Sequence, residues 1–166
     1  MPFEIPDNIH PNCAPLAWML GTWRGNGQGD YPTIEGFRFG QEMLFQQDGR
    51  PFIHYMSRAW IEDEDGVVVR EAAQETGFLR PQEDRTLEVV LAHNTGFVEV
   101  WHGEIHADQP RFEIVTDAIA RTGTAKDYSA GKRLYGYVEG DLLYAYDMAA
   151  MGEPLQPHLW ARLQRQ

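Results

Sequence analysis

The chain has one cysteine, Cys13, in 166 residues. That excludes an intramolecular disulfide and any multi-cysteine zinc site. Positive charge is scarce too: Lys and Arg number 14 against 25 Asp and Glu, a formal net charge of −11. Such a balance lacks the basic stripe used by general nucleic-acid and anionic-membrane binders, so neither partner is expected. No apolar run approaches the ~20 residues that span a bilayer. The opening MPFEIPDNIHPNCAP has neither a basic start nor an apolar stretch. No secretory signal is expected, and a cytoplasmic location is. Long helical periodicity is missing as well, which argues against crossover connections and a parallel sheet. Catalytic signatures are also absent. There is no Gly-x-Ser-x-Gly elbow, and the cluster Gly21-Thr22-Trp23-Arg24-Gly25-Asn26-Gly27 is neither a phosphate loop nor a dinucleotide fingerprint.

What is present is β signal. Ten runs rich in Val, Ile, Tyr, Phe and Trp follow one another: Leu20–Gln28, Phe37–Gln46, Phe52–Glu62, Val67–Arg80, Arg85–Ala92, Phe97–His106, Arg111–Thr116, Lys132–Glu139, Leu142–Met148 and Pro157–Leu163. Short turns such as Gln47-Asp48-Gly49-Arg50 and Glu139-Gly140-Asp141 separate them, as in antiparallel hairpins. Phe37, Phe39, Gln41, Met43 and Phe45 share one face by period two; so do Leu87, Val89 and Leu91, and Leu142, Tyr144, Tyr146 and Met148. Ten sequential strands predict an all-β, antiparallel up-and-down barrel, which removes exposed edges and is wide enough for a ligand. A β-sandwich is the alternative. Residues 1–15 carry Pro2, Pro6, Pro11 and Pro15 and are expected to be extended; Leu16 to Leu20 can form one helical turn, and 16–166 form a single domain. The alternating Gly25, Gly27 and Gly29 would bare one face of the first strand, as at a close strand approach.

The six histidines are the candidates for chemistry. His102 and His106 lie four apart in His-Gly-Glu-Ile-His. On a strand that is about 13 Å at ~3.3 Å per residue, too far for one metal ion, so a solvent face is expected. His93 sits in a turn and reads as exposed, His54 as a hydrogen-bonded strand residue, and His10 as solvated. Cys13 has no adjacent activating base. His158 opens the last run, and Met148 ends the previous one. If those strands pair, both lie at one rim, an arrangement suited either to a core histidine or to a heme pocket with one axial histidine. Period two poses a difficulty. It groups His158 with Trp160 and Arg162, so an inward His158 would turn Leu159, Ala161 and Leu163 outward unless a bulge resets the parity or the strand begins later.

Read together, the segments carry a resemblance. Leu20-Gly21-Thr22-Trp23-Arg24-Gly25-Asn26-Gly27 contains a Gly-x-Trp-x-Gly-x-Gly motif through Gly21, Trp23, Gly25 and Gly27. Tyr31-Pro32-Thr33-Ile34, Glu75-Thr76-Gly77-Phe78-Leu79-Arg80, Leu91-Ala92-His93-Asn94-Thr95-Gly96, Thr124-Ala125-Lys126-Asp127, Met148-Ala149-Ala150-Met151-Gly152 and Pro154-Leu155-Gln156-Pro157-His158-Leu159 follow in order. The sequence thereby resembles the nitrobindin family of small heme-binding β-barrels, from about Leu16 to Leu163. The resemblance implies a ten-stranded barrel related to the lipocalin and fatty-acid-binding barrels, with one ferric heme b per chain at its mouth. It implies His158 as the proximal axial ligand, Met148 against the heme and Lys126 as a propionate partner. It further implies binding of nitric oxide and peroxynitrite, and isomerisation of peroxynitrite to nitrate at the iron, with no protein acid or base needed. Phe39, Phe45 and Trp60 are candidate lining. Ala72-Ala73 replace the apolar-His pair that family members carry, so a second pocket histidine is missing; Gln74 or another residue could take its place. An acidic surface does not steer an anionic substrate, so unusually fast capture is not expected. The alternative function is a carrier of a fatty acid or other apolar molecule in the same barrel, and a third is a structural barrel with a filled interior. A homodimer through exposed strands is compatible with the sequence, and nothing in it fixes one.

Overall fold

The protein's structure, a computed structural model, describes residues 3–166; Met1 and Pro2, and with them the first of the prolines, lie outside the described residues. Ten antiparallel strands follow a short 3-10 helix: β1 (Gly21–Tyr31), β2 (Ile34–Gln46), β3 (Ile53–Glu62), β4 (Val68–Pro81), β5 (Thr86–His93), β6 (Phe97–Ile105), β7 (Arg111–Arg121), β8 (Tyr128–Val138), β9 (Asp141–Ala150) and β10 (Gln156–Arg165). Each strand pairs with its sequence neighbours, and β1 pairs with β10 to close the barrel. Every connection is a hairpin, so each odd-numbered turn (β1–β2, β3–β4 and so on to β9–β10) lies at one end. That end is the mouth.

The opposite end is filled. The helix runs Pro11–Met19, beginning inside the stretch expected to be extended. Pro11 takes a first-turn position, where a missing N–H costs nothing, and the tight 3-10 turns tolerate Pro15. His10 is not simply solvated: its side chain accepts from the Asn12 N–H and caps the helix. Cys13, Leu16 and Met19 are buried against the barrel. The Trp23 indole donates to the Met19 carbonyl at 2.8 Å, and the Arg165 guanidinium lies 4.1 Å from the Trp23 ring while bonding the Trp18 and Leu20 carbonyls. Gly21, with φ +111°, makes the turn from helix to strand in a backbone region that residues with a Cβ avoid. Phe45 stacks on Tyr55 and Phe112 on Tyr135, so this half is solid core.

The inward alternation of β2, β5 and β9 is as expected: Phe39, Met43, Phe45, Leu87, Val89, Leu91, Leu142, Tyr144, Tyr146 and Met148 are all buried. On β1 the inward positions are Trp23, Gly25, Gly27, Gly29 and Tyr31. A Cβ at Gly27 would fall 2.5 Å from the Phe39 ring and 2.9 Å from Ala161 Cβ. The bare face therefore admits the neighbouring side chains of β2 and β10. Trp60 corrects the sequence reading. It is buried on the outer wall, over Gly40 and between the guanidinium groups of Arg24 and Arg58, and is not lining. Pairing leaves alternate β3 residues outside, and Trp60 shares its side with Met56 and Arg58.

Candidate functional site

The mouth is built where two strands lose register. β10 pairs regularly with β9 from Leu159 on, but slips between Pro157 and Leu159. Pro157 has no N–H to donate to a ladder, so a bulge is the expected response. The bulge resolves the parity difficulty. Ala161 and Leu163 are buried, Leu159 packs on the core and Trp160 points out at 54% exposure, yet the half-buried His158 ring also lies among inward side chains. It meets the rings of Tyr31 at 5.4 Å, Tyr146 at 5.8 Å and Phe37 at 6.3 Å. β1 is irregular at the same level, between Gly29 and Tyr31, and the Asp30 carbonyl accepts from His158 Nδ1 at 2.9 Å. A carbonyl can only accept, so Nδ1 carries the proton and Nε2 keeps its lone pair. Burial lowers the His158 pKa from its ordinary 6.5, which favours the neutral ring. A recess of about 660 Å³ lies on the outer wall beside it, lined by Gln28, Asp30, Arg38, Asp147 and Trp160 as well as His158.

Met148 and Lys126 lie at the same rim. Tyr31 fixes the end of β9: its hydroxyl donates to the Met148 carbonyl at 3.0 Å and accepts from the Ala150 N–H at 2.9 Å. Lys126, in the β7–β8 turn, brings Nζ within 3.6 Å of Met148 Sδ. It has no carboxylate partner among the described residues, although the chain is rich in them. Burial pushes its pKa down. Of the motif residues, Trp23 anchors the closed end, and Gly21, Gly25 and Gly27 serve turn and packing. None of the four touches His158.

Below the rim the barrel carries a buried polar layer that sequence reasoning missed. Arg133, 2% exposed, forks onto Glu75 at 2.9 and 3.0 Å and reaches the Tyr135 hydroxyl at 3.2 Å. The Tyr55 hydroxyl donates to Glu75 at 3.0 Å. The fully enclosed Glu99 lies 2.6 Å from His93 Nε2 and accepts from the Tyr128 hydroxyl at 2.7 Å. His93 is thus buried, not exposed in a turn; it is the last residue of β5, stacked 4.0 Å from the Phe97 ring. Burial raises the Glu75 pKa, but the Arg133 and His93 charges outweigh it, and the carboxyl titrates below its ordinary value. The phase of Phe97, Glu99 and Trp101 was the signal: a carboxylate alternating with two core aromatics must face inward.

The departure at Ala72-Ala73 also has a form. These two residues fall at a register shift of β4 against β3, where Gln74 pairs with Arg58 and Glu71 with Trp60. Gln74 is exposed and pairs its backbone with Asn94, so it does not replace a pocket histidine. His102 and Glu104 are solvent-facing, and His106 Nδ1 accepts two turn N–H groups. No group of three His, Cys, Asp or Glu among the described residues could hold a bare metal ion. The donor set fits heme instead. The porphyrin supplies four nitrogens, and one neutral imidazole with a free Nε2, an apolar thioether and an unpaired ammonium are what the iron, ring and propionates need from protein.

Comparison with known proteins points to the same cofactor and fold. Residues 12–165 match the family model described as the THAP4-like, heme-binding β-barrel domain. The chain is 66% identical over its whole length, and the whole of the relative's, to a peroxynitrite isomerase of Nocardioides sp.. It is 44% identical to a ferric nitrobindin-like protein of Streptomyces griseus, over 98% of this chain and 85% of that one. Among solved structures, Rv2717c from M. tuberculosis superposes with a TM-score of 0.85 at 34% identity, covering 95% of this chain and 99% of that one. A phycobiliprotein lyase from Guillardia theta, at TM-score 0.61 and 10% identity over 91% of this chain and 90% of that one, shares the fold alone. The chain belongs to the THAP4-like heme-binding β-barrel family, the nitrobindins.

Proposed function

We propose that the protein holds one ferric heme b at the barrel mouth through His158 and isomerises peroxynitrite to nitrate there, with nitric oxide as a second small ligand. The observation that carries this reading is the Asp30 carbonyl on His158 Nδ1, which leaves Nε2 as a ready iron ligand. Bound heme supplies a Lewis-acidic ferric centre for the rearrangement, in which no atom is gained or lost. The chain's residues do the rest. His158 anchors the iron, and Tyr31, Phe37 and Tyr146 hold the imidazole edge-on. Met148 walls the ring, and Lys126 finds in a propionate the anion it otherwise lacks. The single cysteine is buried, its thiol pushed up to about 11 by burial, consistent with an inert residue in a reducing cytoplasm. No helix among the described residues is long and apolar enough to cross a membrane.

The fatty-acid reading finds less support. A carboxylate head at the floor would meet Arg133, already neutralised by Glu75. The test is peroxynitrite decay followed by stopped flow with hemin-loaded protein. Acceleration with nitrate as product, lost in His158→Ala, is expected; decay no faster than with free hemin contradicts the proposal.

A further inference from the structure

The isomerisation proposed above needs no protein acid or base, yet a phenol and a carboxylate are paired just inside the mouth. Tyr128, the first residue of β8, is 2% exposed. Its hydroxyl donates to Glu99 Oε2 at 2.7 Å. The other Glu99 oxygen faces His93 Nε2 at 2.6 Å, which fixes the carboxylate in place. Burial above all raises the Tyr128 pKa, and the Tyr146 and Glu99 neighbours raise it further. The phenol therefore keeps its proton at neutral pH. It loses an electron readily only if the proton leaves at the same time, and Glu99 stands where that proton would go.

A chain of packed rings links this pair to His158. The Tyr128 hydroxyl, the Trp101 ring and the Tyr146 ring converge on Gly131, where a Cβ would collide with the hydroxyl and fall 2.6 and 3.0 Å from the two rings. Gly131 pairs with Met148 on β9. The Tyr146 ring in turn lies 5.8 Å from that of His158.

The other tyrosines are less suited to giving up an electron. The Arg133 guanidinium covers the rings of Tyr146 at 4.7 Å, Trp101 at 4.9 Å and Tyr144 at 5.7 Å, and a cation there opposes the loss. The Tyr135 hydroxyl accepts from Arg133. Tyr55 donates to Glu75, but Arg133 already neutralises that carboxylate at 2.9 and 3.0 Å. Tyr31 donates to a backbone carbonyl, which is no base. Tyr137 packs on Trp18 and Trp23 at the closed end. Tyr128 alone joins a carboxylate free of arginine to a path toward the mouth.

We infer that Tyr128 is a redox-active residue that quenches one-electron oxidants formed at the mouth, with Tyr146 as the bridge for its electron and Glu99 as the acceptor of its proton. The identity of the oxidant rests on the peroxynitrite reading. Peroxynitrite whose O–O bond breaks without recombination yields nitrogen dioxide. One electron from Tyr128 reduces nitrogen dioxide to nitrite, the phenolic O–H bond breaks, the proton passes to Glu99 Oε2, and a neutral tyrosyl radical remains in the barrel. One oxidant is quenched per chain.

The test has two arms. In the first, azide radicals made by pulse radiolysis oxidise the hemin-free chain, and transient absorbance separates tryptophan from tyrosine radicals. A tyrosyl signal is expected to grow as the tryptophan signal decays, with a solvent deuterium isotope effect. Its growth should be lost in Tyr128→Phe and slowed about tenfold or more in Glu99→Gln, which keeps the shape and removes the proton acceptor. Growth at the wild-type rate in Tyr128→Phe, or in Glu99→Gln should the former not fold, would overturn the inference. In the second arm, hemin-loaded protein is mixed with peroxynitrite and freeze-quenched for EPR. A tyrosyl radical absent from Tyr128→Phe is expected; a loaded wild type without one would overturn the inference and leave the isomerisation standing. Failure of the wild type to load hemin would overturn the heme reading and nitrogen dioxide as the oxidant, while the first arm still decides whether Tyr128 is redox-active.

Discussion

Replacing Arg133 with Met should be among the most damaging single changes to the fold. The guanidinium neutralises Glu75 by two contacts at 2.9 and 3.0 Å, bonds Tyr135 at 3.2 Å, and covers the rings of Trp101 and Tyr146 at 4.9 and 4.7 Å. Removing one member of a buried pair leaves the other charge uncompensated and costs roughly 3–5 kcal/mol. Glu75 retains Tyr55 and a 3.8 Å contact with His93, which places the expected loss near the lower figure. Replacing both partners, Arg133→Met with Glu75→Gln, removes the orphan charge and should recover at least about 1 kcal/mol. Urea unfolding followed by tryptophan fluorescence measures this, with an unchanged slope showing that stability alone has moved. Acid sharpens the test. The folded Glu75 pKa is depressed, so its contribution is present above the ordinary carboxylate value of 4.5 and is lost as pH falls through the folded value. Without Arg133, burial leaves the Glu75 pKa raised, so the variant's deficit relative to wild type should shrink as pH falls and the carboxyl is neutralised. A single variant within about 1 kcal/mol of wild type, or a double variant no better than the single, would refute the argument.

Two further outcomes follow from the same structure. His158 has its pKa lowered by burial, so in the apo protein stability is full above 6.5 and falls as pH drops below it, because the unfolded chain binds the proton more readily. His158→Phe should flatten that part of the pH–stability curve, and an unchanged slope would show that the ring does not contribute. Gly27→Val would drive side-chain atoms into Phe39, Ala161 and the Trp160 carbonyl, and should cost roughly 1–3 kcal/mol or more in chemical unfolding; a neutral result would mean that β2 and β10 can separate there.

The barrel was legible because its evidence is local. Leu142, Tyr144, Tyr146 and Met148 alternate with half-buried neighbours, and each hairpin lies within a few residues of its strands. The 3-10 helix was placed late because Pro15 argues against an α-helix, whereas the tighter turn accepts it. The family resemblance singled out His158, Met148 and Lys126, which the fold brings to one rim, and the bulge at Pro157 that turns His158 inward was foreseen only as one way to reset the parity. The polar layer was not legible. Glu75, His93, Glu99 and Arg133 come from four strands, and Glu75 and Arg133 are 58 positions apart. Only closure of the barrel brings them together. Trp60 shows the converse: an aromatic in a β run reads as core, but the strand pairing puts it outside under Arg24 and Arg58.

The central claim, that His158 is the iron ligand, is tested most directly by titrating hemin into the purified protein and into His158→Ala while recording the Soret band. The account predicts a sharp band saturating at one heme per chain in the wild type and its loss in the variant. A wild-type chain with no specific band, or a variant that binds with the same spectrum and affinity, would contradict it.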